Sequence, residues 1–122
     1  MLMHCLAVGT GGFIGSVLRY LFGMIPFLQK GPLPFATLTI NVLGAVFIGF
    51  IVSAATPRDW MTENMLLLFK VGICGGFTTF STFALETTDL LRSGKFCMAA
   101  AYVALSAVCS VAAVFLAQQL VR

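Results

Sequence analysis

The sequence predicts an all-α integral membrane protein with four transmembrane helices, the third of them broken in mid-span. Three observations carry this. The residues are 60% hydrophobic and 9% charged, with a mean hydropathy of +1.04, far from the roughly 25% charge of a soluble domain. Four apolar runs, approximately 2–24, 34–54, 65–92 and 96–120, are each long enough to cross a hydrocarbon core of about 30 Å as a helix. Finally, Gly75-Gly76-Phe77-Thr78-Thr79-Phe80-Ser81-Thr82-Phe83 places a polar, glycine-containing segment at bilayer depth. Unwound backbone there is costly unless protein or a wet cavity satisfies it, so the segment reads as a site, with the break near residues 75–81.

The whole chain, 1–122, reads as one transmembrane domain. Its first run starts at Leu2 without a basic flank and shows no small-residue cleavage signal, which makes it a span and not a signal peptide. It carries Gly9, Gly11, Gly12 and Gly15. The Gly11-xxx-Gly15 spacing lets helix backbones approach closely; a dinucleotide loop would need a glycine at Ile14 and a preceding strand. Arg19 and Tyr20 close the span, and Arg19 either snorkels to the interface or faces a water-filled vestibule where it gathers anions.

The second span opens on Phe35-Ala36-Thr37-Leu38-Thr39-Ile40-Asn41. Thr37 and Asn41 share a helix face, and an amide this far inside a span either bonds a neighbouring helix or lines a wet path. Gly44, Ala45 and Gly49 then form a small-residue seam. Pro57, Arg58 and Asp59 read as turn residues and Trp60 as an interfacial anchor. In the third span Gly72 and Gly76 have packing spacing. After the break, helix resumes near Ser81, with Thr79 or Ser81 as its N-cap, and ends at Ser93-Gly94. The first half-helix offers carbonyls that suit a cation, the second N–H groups that suit an anion. Tyr102, Ser106 and Ser110 make a polar stripe on the fourth span, at spacings of four, and read as pore-lining. Lys70 is expected either to snorkel or to face a vestibule.

Several function classes recede. Cys5, Cys74, Cys97 and Cys109 show no metal or redox spacing and read as small buried hydrophobes; His4 beside Cys5 has no obvious further ligands. Asp59, Glu63, Glu86 and Asp89 are expected in loops or near helix ends, which leaves no acid at depth for a proton- or cation-coupled carrier. Neither an enzyme's nucleophile–base pair nor an organic cofactor site or nucleic-acid interface is expected. What remains at depth is hydroxyls, one amide, and the rings of Phe80 and Phe83, whose positive edges suit a desolvating anion. Arg19, Lys30, Arg92 and Lys95 lie on one side, and Arg58 and Arg122 on the other. With Lys70 ambiguous, this nearly even count gives only a weak orientation preference and points to insertion both ways. Four short helices leave little room for a shielded path, which favours a site between copies.

Gly11-Gly12-Phe13-Ile14-Gly15-Ser16-Val17-Leu18-Arg19-Tyr20, Thr37-Leu38-Thr39-Ile40-Asn41-Val42-Leu43-Gly44 and the segment from Gly72 to Phe83 together resemble the Fluc/CrcB family of bacterial fluoride channels. The resemblance implies an antiparallel, dual-topology homodimer in the cytoplasmic membrane, with two pores that passively export fluoride. By the same resemblance, Phe80 and Phe83 face the fluoride path with Asn41 and Ser81 near them. Ser106 and Ser110 continue the polar track, Tyr102 supports the rings, and Arg19 sits in the vestibule. The backbone carbonyls of Gly75 and Thr78 from both subunits hold a structural Na⁺. Two alternatives are a small multidrug-type exchanger, which would need a membrane-embedded Glu in its first span, and a non-transporting assembly subunit, which leaves the polar stripes unexplained.

Overall fold

The computed structural model describes residues 1–55 and 60–121. Pro57, Arg58, Asp59 and Arg122, which carry the second-loop turn reading and part of the charge balance, lie outside the described residues. The described elements are helical: α1 (Leu2–Gly23), a short 3-10 turn (Pro26–Gln29), α2 (Phe35–Ala55), α3 (Glu63–Leu66), a π-helical segment (Leu67–Cys74), α4 (Gly75–Phe77), α5 (Phe80–Arg92) and α6 (Phe96–Val121). Residues 63–92 act as one interrupted span, giving four segments long and apolar enough to cross a membrane. Their ends fall within a residue or two of the apolar runs.

The interior is thin. Large side chains such as Phe13, Phe47, Val108 and Phe115 point outward, as expected where the surrounding solvent is lipid. Backbone contact therefore does much of the packing. A Cβ on Gly11 would collide with the carbonyl of Leu68, and one on Gly15 would lie 2.8 Å from the Phe77 nitrogen. From the other side, a Cβ on Gly72 would lie 2.7 Å from the Gly11 Cα, and one on Gly76 2.7 Å from the Gly12 carbonyl oxygen. The π-helical segment is what meets α1 here. Its i→i+5 winding makes a wider turn, and only a glycine-faced neighbour can come close enough to cover it. Gly49 similarly lets α2 meet α6, its Cβ position 2.8 Å from that of Ala117.

The α5–α6 corner is short because it is a Schellman motif. Lys95 N–H donates to the Leu90 carbonyl at 2.9 Å, Gly94 N–H donates to that of Leu91 at 3.1 Å, and Gly94 takes φ 76°. This turns α6 back along α5 and packs Tyr102 and Ala99 against Leu90, with Phe83 and Leu38 at the margin. Two cysteine expectations change: Cys74 is buried, but Cys5 and Cys97 are exposed on outer faces that any apolar residue would suit. His4 lies 3.7 Å from Glu63, pairing the starts of α1 and α3.

Candidate functional site

The break is narrower than the sequence predicts. Gly75, Gly76 and Phe77 stay helical, and only Thr78 (φ −84°, ψ 157°) and Thr79 (φ −149°, ψ 124°) are extended. The physical reason is that Gly76, with Gly72, serves as a packing surface for α1, while the chain leaves the helix where a neighbour offers replacement hydrogen bonds. Asn41 is that neighbour. Its Oδ1 accepts from Thr79 N–H at 2.8 Å and its Nδ2 donates to the Thr79 carbonyl at 3.0 Å. Thr79 in turn caps α5, its Oγ1 accepting from Thr82 N–H at 3.2 Å. Asn41 thus bonds a neighbouring element and also lines the groove described below, with one amide N–H to spare.

Removing this clamp strands two backbone groups where lipid cannot replace them, at about 1–3 kcal/mol each. Asn41→Leu is expected to lower the unfolding midpoint in detergent and to yield mostly aggregated protein on size exclusion, while Thr39→Val leaves both unchanged.

Arg19 neither dangles toward the interface nor stands alone. Its Nε donates to the Gly76 carbonyl at 3.0 Å, across 57 residues of sequence. A cation therefore already serves one of the carbonyls at the end of the first half-helix. The Gly75 carbonyl is different, since the Thr79 N–H that would pair with it in a continuous helix is turned to Asn41. Gly75 is exposed and a Cβ there would meet nothing within 4 Å.

Beyond the break, Phe80, Phe83 and Tyr102 form a ring series. Phe80 and Phe83 have centroids 5.5 Å apart at 45°, Phe83 and Tyr102 5.1 Å apart at 50°. Tyr102 is fully buried, whereas Phe80 is 79% exposed. Ser81, beside it, is also exposed. The series ends at a residue the sequence reading misplaced. Glu86 lies in the middle of α5, half-buried, and accepts a short hydrogen bond from the Thr37 hydroxyl and a longer one, 3.4 Å, from that of Tyr102. The expectation of no carboxylate within the spans is thereby corrected. Because α5 starts only at Phe80, Glu86 sits well before its end, level with the first turn of α2. Two hydroxyls spaced to meet it, at positions 37 and 102, were the available signal.

An open groove of about 660 Å³ runs along this face, and Asn41, Thr78, Phe80, Phe83, Ser106 and Ser110 all line it. It gathers most of the predicted site residues; Arg19, Ser81 and Tyr102 are not among those that line it. Ser106 is 9% exposed and its hydroxyl has no hydrogen-bond partner among the described residues.

Four spans, an interrupted third helix stitched by an amide and a guanidinium, and a groove walled by rings and hydroxyls define a multi-pass membrane protein with a candidate site at the break. The description CrcB-like protein, Camphor Resistance (CrcB), matches residues 6–118. Among the relatives are proteins named fluoride-specific ion channel FluC. That of Chlorobaculum tepidum is 46% identical over 105 residues, covering 85% of this chain and 82% of the relative. That of Clostridium perfringens is 40% identical over 124 residues, covering 99% and 95%, and that of Nitrobacter winogradskyi is 44% identical over 118 residues, covering 96% and 94%. The chain belongs to the CrcB-like family.

Proposed function

We propose that this protein is a passive, fluoride-selective channel of the bacterial cytoplasmic membrane, working as an antiparallel homodimer with two anion paths. The observation that carries this reading is the Ser106 hydroxyl, buried in the groove wall without a partner. An unpartnered buried hydroxyl costs roughly 1–3 kcal/mol, and a small hard anion that accepts a hydrogen bond from it removes that cost. Ser110 lies one turn further along the same wall. The edges of Phe80 and Phe83 supply weak positive potential without binding water competitively. Tyr102 backs Phe83, and Glu86 accepts hydrogen bonds from the Thr37 and Tyr102 hydroxyls, which holds those side chains in place. Asn41 keeps Phe80 and Ser81 in position by fixing the start of α5. Arg19, with most of its N–H donors beyond the one on Gly76, makes the neighbouring vestibule favourable for anions.

A second copy laid on the exposed face that carries Gly75 and Phe80 would close the groove from lipid. The near-even distribution of Lys and Arg favours no single orientation, which suits copies inserted both ways. In such a pair the Gly75 and Thr78 carbonyls of both copies would hold Na⁺. Unwound carbonyls at a half-helix end are the donors this hard cation takes, and the Gly75 carbonyl has lost its helical partner to Asn41. Bound there, Na⁺ would offset the negative ends of two half-helices.

Purified protein in liposomes is expected to release fluoride down its gradient and to retain chloride. Equal rates for the two anions overturn the reading. So does dependence on an imposed proton gradient, the behaviour that a carrier working through Glu86 would show.

A further inference from the structure

Among the described residues Lys70 is the one charged side chain on the groove wall, and the track described above does not use it. It lies in the π-helical segment, exposed, seven residues into the third span from Glu63. It makes no hydrogen bond or ion pair with the described residues. Lys70, Cys74, Gly75 and Thr78 all line the groove. The π winding helps to bring this about: with i→i+5 bonding a turn takes up more residues, so Gly75 stays on the wall that Lys70 faces, where 3.6-residue winding would rotate it further away. The groove therefore carries a positive charge toward one end, while Glu86 lies off its wall. Chain direction puts Lys70 toward the end of the third span that begins at Glu63, and Glu86 toward the other. Between them stand Ser110, Ser106 and the two phenyl rings. Around Lys70 the wall is apolar, with Ile48, Val111 and Val114, and such low-dielectric walls focus a charge's field into the water between them.

We propose that Lys70 is the anion-collecting residue at this mouth of the groove and sets the rate at which a small anion reaches the serine track. The inference rests on the groove being an anion path, and adds to that reading a residue and an end of the path. The ammonium group gathers anions by long-range attraction and leaves hydrogen bonding to Ser110 and Ser106.

The test is initial fluoride efflux from liposomes containing the full chain, compared between about 10 mM and about 1 M impermeant salt, conditions that shorten the screening length from about 30 Å to about 3 Å. Lys70→Met is expected to lower the rate about tenfold at low salt and to converge on the unmodified protein at high salt. Lys70→Arg is expected to keep both the rate and its salt dependence. Lys70→Gln, which retains polarity without charge, is expected to follow Lys70→Met. A Lys70→Met protein with an unmodified rate and salt response overturns the inference. So does an equal loss at both salt concentrations, or in Lys70→Arg, since either would mean that the side chain only packs. An unmodified protein that releases no fluoride at all overturns the channel reading itself, and this inference with it.

Discussion

Phe83→Leu is expected to cut fluoride efflux about a hundredfold or more, equivalent to about 3 kcal/mol at the barrier, while the protein remains folded. Leucine is apolar and fills much of the space between Phe80 and Tyr102, rings whose centroids lie 5.5 and 5.1 Å from that of Phe83. Packing should therefore suffer only the modest loss of a large-to-smaller exchange. What leucine lacks is the positive ring edge, which beside the spare Asn41 amide N–H is what the wall offers an anion that has shed its water and moved past Ser106. Efflux in liposomes, read beside an unchanged size-exclusion profile, checks this. Normal fluoride release through Phe83→Leu would remove the rings from the mechanism.

Gly15→Val is expected to prevent folding. The added Cβ would lie 2.8 Å from the Phe77 nitrogen and 3.0 Å from the Ile73 carbonyl carbon. Both are backbone atoms of the interrupted span and cannot step aside as a side chain would. Overpacking of this kind typically costs about 1–3 kcal/mol where a core can adjust, and here adjustment would also pull Arg19 from the Gly76 carbonyl and loosen the break. Gly9→Ala provides the contrast: nothing lies within 4 Å of its Cβ position, and alanine is the better helix former by about 1 kcal/mol. The pair is read by the monodispersity and thermal midpoint of detergent-solubilised protein. A well-folded Gly15→Val would mean that α1 does not need to touch residues 73–77.

Much of this architecture was legible because lipid imposes simple rules. Hydropathy located the spans, and the polar segment after Gly75 flagged the break, since neither needs knowledge of what packs on what. The extent of the break was not legible: glycines look alike whether they let a helix stop or let two helices touch, and Gly76 does the second. Asn41 stood out as an amide at depth, but its two hydrogen bonds to Thr79 span 38 residues and leave no local trace. Arg19 hid its partner for the same reason. Glu86 was misplaced because its depth is counted from Phe80, where helix resumes, and that starting point is fixed by the clamp. The π winding left no sequence signal we can name. Of the candidate site, the rings and serines stand out by their spacing, while the groups that hold them leave no such mark.

The π-wound stretch also loosens the tie between residue number and height in the bilayer. The third span runs 30 residues from Glu63 to Arg92, where the second needs 21 from Phe35 to Ala55. Wide turns absorb some of that surplus, since they take up more chain for each full rotation. A chain one residue shorter between Leu67 and Cys74 could rewind toward α geometry and leave Thr78 and Thr79 near their present level. What would change is the azimuth of everything below them, including the direction in which Lys70 points. Length in this stretch is tolerant of editing, and compass bearing is not.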